Sequence, residues 1–138
     1  MSGSSPPTRY ERGLKKMSEV YGVAVGDFVA PLRDLGRYMV EFPYGDIYSR
    51  GGLALREREI ATIAMLTALG GREPQLRVHI ASALNAGLTA DELEEIIIQT
   101  IIFAGFPTAI NALNLLHESL SERDGGPKKT GSASGTNR

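Results

Sequence analysis

The stretch from Thr89 to Pro107, TADELEEIIIQTIIFAGFP, constrains the chain most. Its isoleucines carry the β-branching of a strand. Its opening points the other way: Thr89-Ala90-Asp91-Glu92 has capping-box spacing, with acidic charge where a helix dipole favours it. Leu93, Ile96, Ile97, Thr100, Ile101 and Ala104 then fall at helical spacing, so a helix is expected, closed by Gly105 and Pro107. This helix is apolar on more than one face, and a helix buried all round needs neighbours on every side. A chain of 138 residues has few helices to offer. The expectation is therefore an all-α fold in which another copy of the chain closes part of the apolar surface.

The remaining punctuation agrees with that class. Thr8-Arg9-Tyr10-Glu11 is another capping box, opening a helix to about Tyr21 with Tyr10, Leu14 and Met17 on one face. Gly22 and Gly26 mark a loop. Pro31 suits the first turn of a second helix, on which Leu32, Leu35, Gly36, Met39 and Val40 recur, and Pro43 ends or bends it. Residues 44–53, YGDIYSRGGL, read as an irregular, glycine-flanked segment. Such segments carry function more often than core elements do, which singles out Asp46, Tyr48 and Arg50; the plainer reading is a packed tyrosine and a solvated arginine. A third helix runs from Arg56 to Leu69 and stops at Gly70-Gly71. Pro74 opens a fourth, which ends by Gly87. The last spans Thr108 to about Glu122, with Ile110, Leu113, Leu116 and Leu120 inward. The sum is about six helices in one domain, residues 8–122, with a polar lead (1–7) and a flexible tail (123–138).

Composition removes whole classes of chemistry. The chain has no cysteine, so disulfides, thiolate nucleophiles and cysteine-ligated metals are excluded. The net charge of −1 argues against nucleic acid as a partner. The start lacks the apolar core of a signal peptide, and the longest apolar-rich run is too short to span a bilayer, so no membrane role and a cytoplasmic home are expected. Two distant histidines make no metal centre, and there is no phosphate-binding glycine loop or nucleophile elbow.

What remains is acid–base chemistry on the third and fourth helices. His79 lies at the edge of an apolar stripe, flanked by Leu76 and Ala83, where partial desolvation tunes an imidazole. It could equally be a boundary histidine bonded to a carbonyl. Glu57 and Glu59 open the preceding helix. They could complement its dipole and pair with Arg56 and Arg58, or one could meet the imidazole across two antiparallel helices. Arg50, Arg72 and Arg77 are carboxylate-binding candidates or ordinary surface. His117, near Leu113 and Leu120, reads as packing.

Four stretches carry a resemblance that runs from about Tyr10 to Leu120. They are RYERGLKKMSEVYG, then EFPYGDIYSRGGLALREREIATIAMLTALGG, then EPQLRVHIASALNAG, a histidine helix followed by LTADELE, and the apolar helix ending in Gly-Phe-Pro. In this order they resemble the carboxymuconolactone decarboxylase family, whose all-helical fold is shared with alkyl hydroperoxidase D. That relative's CxxC pair would fall on Arg72 and Gln75, so peroxidase chemistry has no thiol to use here.

The resemblance implies a cofactor-independent decarboxylase, of the type that converts γ-carboxymuconolactone to β-ketoadipate enol-lactone in aromatic catabolism. It implies His79 as the acid or proton shuttle, with Glu59 orienting it and Glu57 as substitute. It implies Arg50, Tyr48 and, more weakly, Arg77 around a small carboxylic acid or lactone. No metal or cofactor is implied, and a homo-oligomer, trimer or hexamer, is. The alternatives are an isomerase, lactone-opening enzyme or cyclase on the same fold, or a non-enzymatic oligomer that binds a small acid.

Overall fold

The computed structural model describes residues 3–125; Met1 and Ser2 of the expected lead, and residues 126–138 of the expected tail, lie outside the described residues. The described chain is all helical. Helix α1 spans Arg9–Tyr21 and has the full capping box: Thr8 Oγ1 accepts from the Glu11 backbone N–H, and the Glu11 carboxylate accepts from that of Thr8. Gly22 then turns left-handed, at φ 71°, and ends it.

A wound stretch follows that is more helical than its sequence suggests. It comprises α2 (Gly26–Val29), a 3₁₀ turn (Ala30–Leu32), α3 (Arg33–Met39) and a π-helix (Val40–Tyr48). Arg33, at φ 54°, absorbs the change of direction between the 3₁₀ turn and α3. Pro43 does not end the helix, and residues 44–48 are not a loop. Proline cannot donate to the carbonyl four residues back and its ring crowds that carbonyl, which disfavours a tight α-turn. The chain keeps winding by widening to i→i+5. In an α-helix Ile47, seven residues after Val40, would share its inner face. In the wider winding Ile47 is left 39% exposed, while Tyr44 and Tyr48, at steps of four, stay on the inner side.

The remaining helices are α4 (Leu55–Leu69), α5 (Glu73–Asn85), α6 (Ala90–Ala104) and α7 (Phe106–Arg123). Gly70 and Gly71, both at φ 65°, make the stop between α4 and α5. The Thr89 capping box forms as expected and holds the isoleucine run helical. Helix α7 starts two residues before Thr108, because Pro107 fits a first turn, where its missing N–H costs nothing.

Two cores result. The larger lies among α4, α5, α6 and α7, around Ile63, Ile80, Leu93, Ile97 and Leu116. The smaller joins α1 to the wound stretch through Met17, Val20, Val25, Val29, Val40 and Tyr44. Two glycines allow α1 and the π-helix to touch: a Cβ on Gly13 would sit 2.2 Å from the Val40 carbonyl oxygen, and one on Gly45 2.7 Å from that of Arg9. Asp46, singled out above, clasps the same pair of elements by receiving the Arg9 guanidinium, with Arg12 at 3.7 Å. Asn85 Nδ2, at the end of α5, donates to the Glu19 and Val20 carbonyls and ties the smaller core to the larger.

Several side chains depart from their sequence reading. Leu32 and Leu35 are exposed, Ile110 is 53% exposed, and His117 is exposed and not packed. Ile110 is one of several exposed apolar side chains on α4, α6 and α7, with Met65, Leu69, Ile102, Phe106 and Phe103, which is 97% exposed. Among the described residues no helix is long and apolar enough to cross a membrane, and no three acids or histidines gather as metal ligands.

Replacing Gly13 by Ala is expected to destabilise the fold by roughly 1–3 kcal/mol, since one helix must back away from the other. Gly26→Ala, where a Cβ meets nothing within 4 Å, is the control and is expected to be neutral. Urea midpoints of the two variants test this.

Candidate active site

The site lies on the seam between the two cores. Its centre is Glu59, whose residue is 0% exposed. Glu59, Ile63 and Thr67 recur every four residues and form the buried stripe of α4. A carboxylate in such a stripe must be partnered, or desolvation works against the fold. Both of its oxygens are engaged. The Tyr48 hydroxyl donates to Oε1 at 3.0 Å, and His79 Nδ1 lies 3.0 Å from Oε2. With the carboxylate as acceptor, Nδ1 carries the proton and Nε2 becomes the nitrogen that can exchange one. The His79 side chain keeps 14% of its surface open, whereas Glu59 keeps none.

A shell of hydroxyls stands behind the pair. The Tyr48 phenol oxygen is 2.8 Å from Thr62 Oγ1; because its single proton goes to Glu59, the threonine is the donor. The Tyr44 ring packs on that of Tyr48 at 5.2 Å, and Tyr21 meets Tyr44 edge-on, with their hydroxyls 2.5 Å apart. Tyr21 also lies 6.1 Å from the His79 ring. Burial pushes the ionisation of all three phenols up, furthest for Tyr44, to which the neighbouring Tyr21 adds. For Tyr48 the Thr62 hydrogen bond opposes the rise and the Glu59 carboxylate adds to it. All three are therefore neutral phenols, not phenolates.

The structure brings together Glu59, His79 and Tyr48, and leaves the other sequence candidates elsewhere. Glu57 is on the opposite face of α4, at a cavity of about 470 Å³ between α4 and α6 that Ile60, Ala61, Ala64, Phe103 and others line. Arg50 is exposed in the turn after the π-helix. Arg77 reaches across to α7, where Glu118 and Glu122 each receive it at 3.0 Å. Arg72 caps the Gly70 carbonyl. The pairing expected within Arg56–Glu59 does not form: Arg56 binds Glu92, and Arg58 donates to the Arg50 and Gly51 carbonyls. Sequence reasoning missed Thr62, Tyr44 and Tyr21. A signal existed in the four-residue step from Tyr44 to Tyr48, which gains meaning only if residues 40–48 are helical.

Comparison with known proteins bears on what this arrangement does. A sequence model of the carboxymuconolactone decarboxylase family matches residues 33–118. The chain is similar to 4-carboxymuconolactone decarboxylase of Acinetobacter baylyi, at 35% identity over 126 residues, 88% of this chain and 93% of that one. It is also similar to an uncharacterized 15.0 kDa protein of Paracoccus denitrificans, 37% identical over 62% of this chain and 65% of that protein. A nitrosuccinic acid decarboxylase of Metarhizium robertsii is 22% identical over 82% of each chain. The chain belongs to the carboxymuconolactone decarboxylase family.

The buried phenols set a pH dependence. Below the ordinary phenol range, near pH 10, folded and unfolded chains both hold these protons, and stability does not respond. Above it the unfolded chain releases protons that the folded chain keeps, so stability falls as pH rises. Tyr44→Phe is expected to flatten that alkaline fall, as read from urea unfolding between pH 8 and 11.

Proposed function

We propose that this member of the family is a carboxy-lyase that removes carbon dioxide from a small unsaturated lactone acid of the 4-carboxymuconolactone type, as formed in aromatic catabolism. One observation carries the reading: a fully buried carboxylate holds an imidazole by Nδ1, in a chain 35% identical to a protein named for that reaction. The bond from the ring carbon to the departing carboxylate breaks. Its electron pair enters the conjugated lactone and comes to rest on the lactone carbonyl as a dienolate. The substrate is its own electron sink, so the step needs no cofactor. His79 then gives a proton from Nε2 to the dienolate carbon and regains one from solvent. Glu59 fixes the ring and balances the charge that appears and disappears on it. Arg50 is the cation proposed for a substrate carboxylate. Arg77, already engaged by Glu118 and Glu122, is the weaker one. Glu57, on the other face of α4, takes no part in this step.

The exposed apolar groove between α4 and α6 belongs to the same proposal, as a contact between copies in a trimer or hexamer. Phe103 stands clear of the surface beside a groove floored by Ala61 and Ala64, a projection and a recess on one face that suit each other across two chains.

General acids contribute about 10²–10⁴-fold, so His79→Ala is expected to lower kcat on 4-carboxymuconolactone by about 10²-fold or more. Carbon dioxide release and enol-lactone absorbance are the readouts; unchanged turnover in the variant refutes the role of His79. In light scattering the wild type is expected to run as an oligomer, and Phe103→Asp as a smaller species. A wild-type monomer at micromolar concentration contradicts the contact.

A further inference from the structure

We infer that Tyr48 is a positioning residue for the proton-transfer pair, acting through Glu59, and makes no hydrogen bond to substrate. Its kinetic consequences rest on the decarboxylase reading; its structural basis does not. A phenol has one proton to give, and that of Tyr48 goes to Glu59 Oε1 at 3.0 Å. Its oxygen is also held by Thr62 at 2.8 Å. The hydroxyl is thus spent inside the seam, where a substrate ligand would need it outside.

What Tyr48 does there follows from the shape of a carboxylate. The terminal torsion of a glutamate is soft. Held at Oε2 alone, the group can swing and carry that oxygen off Nδ1. A second donor on Oε1 fixes its plane. Because Glu59 has no exposed surface, water cannot stand in for the lost donor. Tyr48 is itself held in place by Thr62, by the Tyr44 ring at 5.2 Å and by the widened winding that keeps it on the inner side. The titratable groups around Glu59 are His79 from α5, Tyr44 and Tyr48 from the π-helix and Tyr21 from α1. Helices α6 and α7 join α4 through the apolar larger core.

The test is Tyr48→Phe, which keeps the ring and removes the hydroxyl. On 4-carboxymuconolactone, kcat is expected to fall roughly tenfold, with KM within about twofold. A raised KM with unchanged kcat assigns Tyr48 to substrate and overturns the inference. A second readout needs no turnover. The chain has two histidines, and His117 is exposed on α7, so the imidazole ¹⁵N spectrum carries its own reference. At matched pH the His79 signals of Tyr48→Phe are expected to depart from wild type while those of His117 coincide. Coincident His79 signals overturn the inference, whether or not the lactone acid is consumed. If Tyr48→Phe no longer unfolds cooperatively, Thr62→Val carries the same comparisons, with a smaller effect in the same direction expected.

Discussion

Everything near the seam answers to the burial of one carboxylate. Taking an ion the size of Glu59 out of water costs several kcal/mol, and no single helix can supply what offsets that. Helix α4 brings the acid, α5 the imidazole and the π-helix the phenol. The three must converge to within hydrogen-bond distance, so the arrangement that orders the imidazole is also a joint between the two cores. Cohesion of the fold and order of the site are one requirement here.

Read this way, the unusual winding of Val40–Tyr48 has a cause and an effect. Its cause is Pro43, which the helix accommodates by widening. Its effect is to turn Ile47 out of the inner face and leave Tyr44 and Tyr48 on it, with the Tyr48 phenol at Glu59 Oε1. The close approach of Gly13 and Gly45 holds that face against α1. Without those glycines the π-helix would stand further out, and with it Tyr48.

Much of this was legible in the residues. Thr8 and Thr89 declared their caps, Gly70-Gly71 its stop, and the helical identity of the isoleucine run followed from its cap despite its β-branching. His79 and the two acids Glu57 and Glu59 stood out as polar positions on neighbouring helices, with the choice between the acids open. The structure makes that choice, since only Glu59 shares the buried four-residue stripe of Ile63 and Thr67. The tyrosine shell was not legible. Proline is ordinarily a helix breaker, and a widened turn has no pattern of its own, so Tyr44 and Tyr48 fell in what read as a loop. Nor does apolar periodicity say what covers a face: Ile110 and Leu35 sit at helical spacing and remain open.

The division into two cores has a further consequence, for the order in which heat would take the molecule apart. Among the described residues the smaller core holds six buried apolar residues and the larger eleven. Cooperative units open at free energies set by their own packing, so the α1 and π-helix unit is the one to part first. When it does, Tyr48 leaves Glu59 while the helical hairpin of α4 and α5 still stands. Thermal inactivation would then run ahead of the loss of helix, and the temperature at which this protein stops working would lie below the one at which it melts.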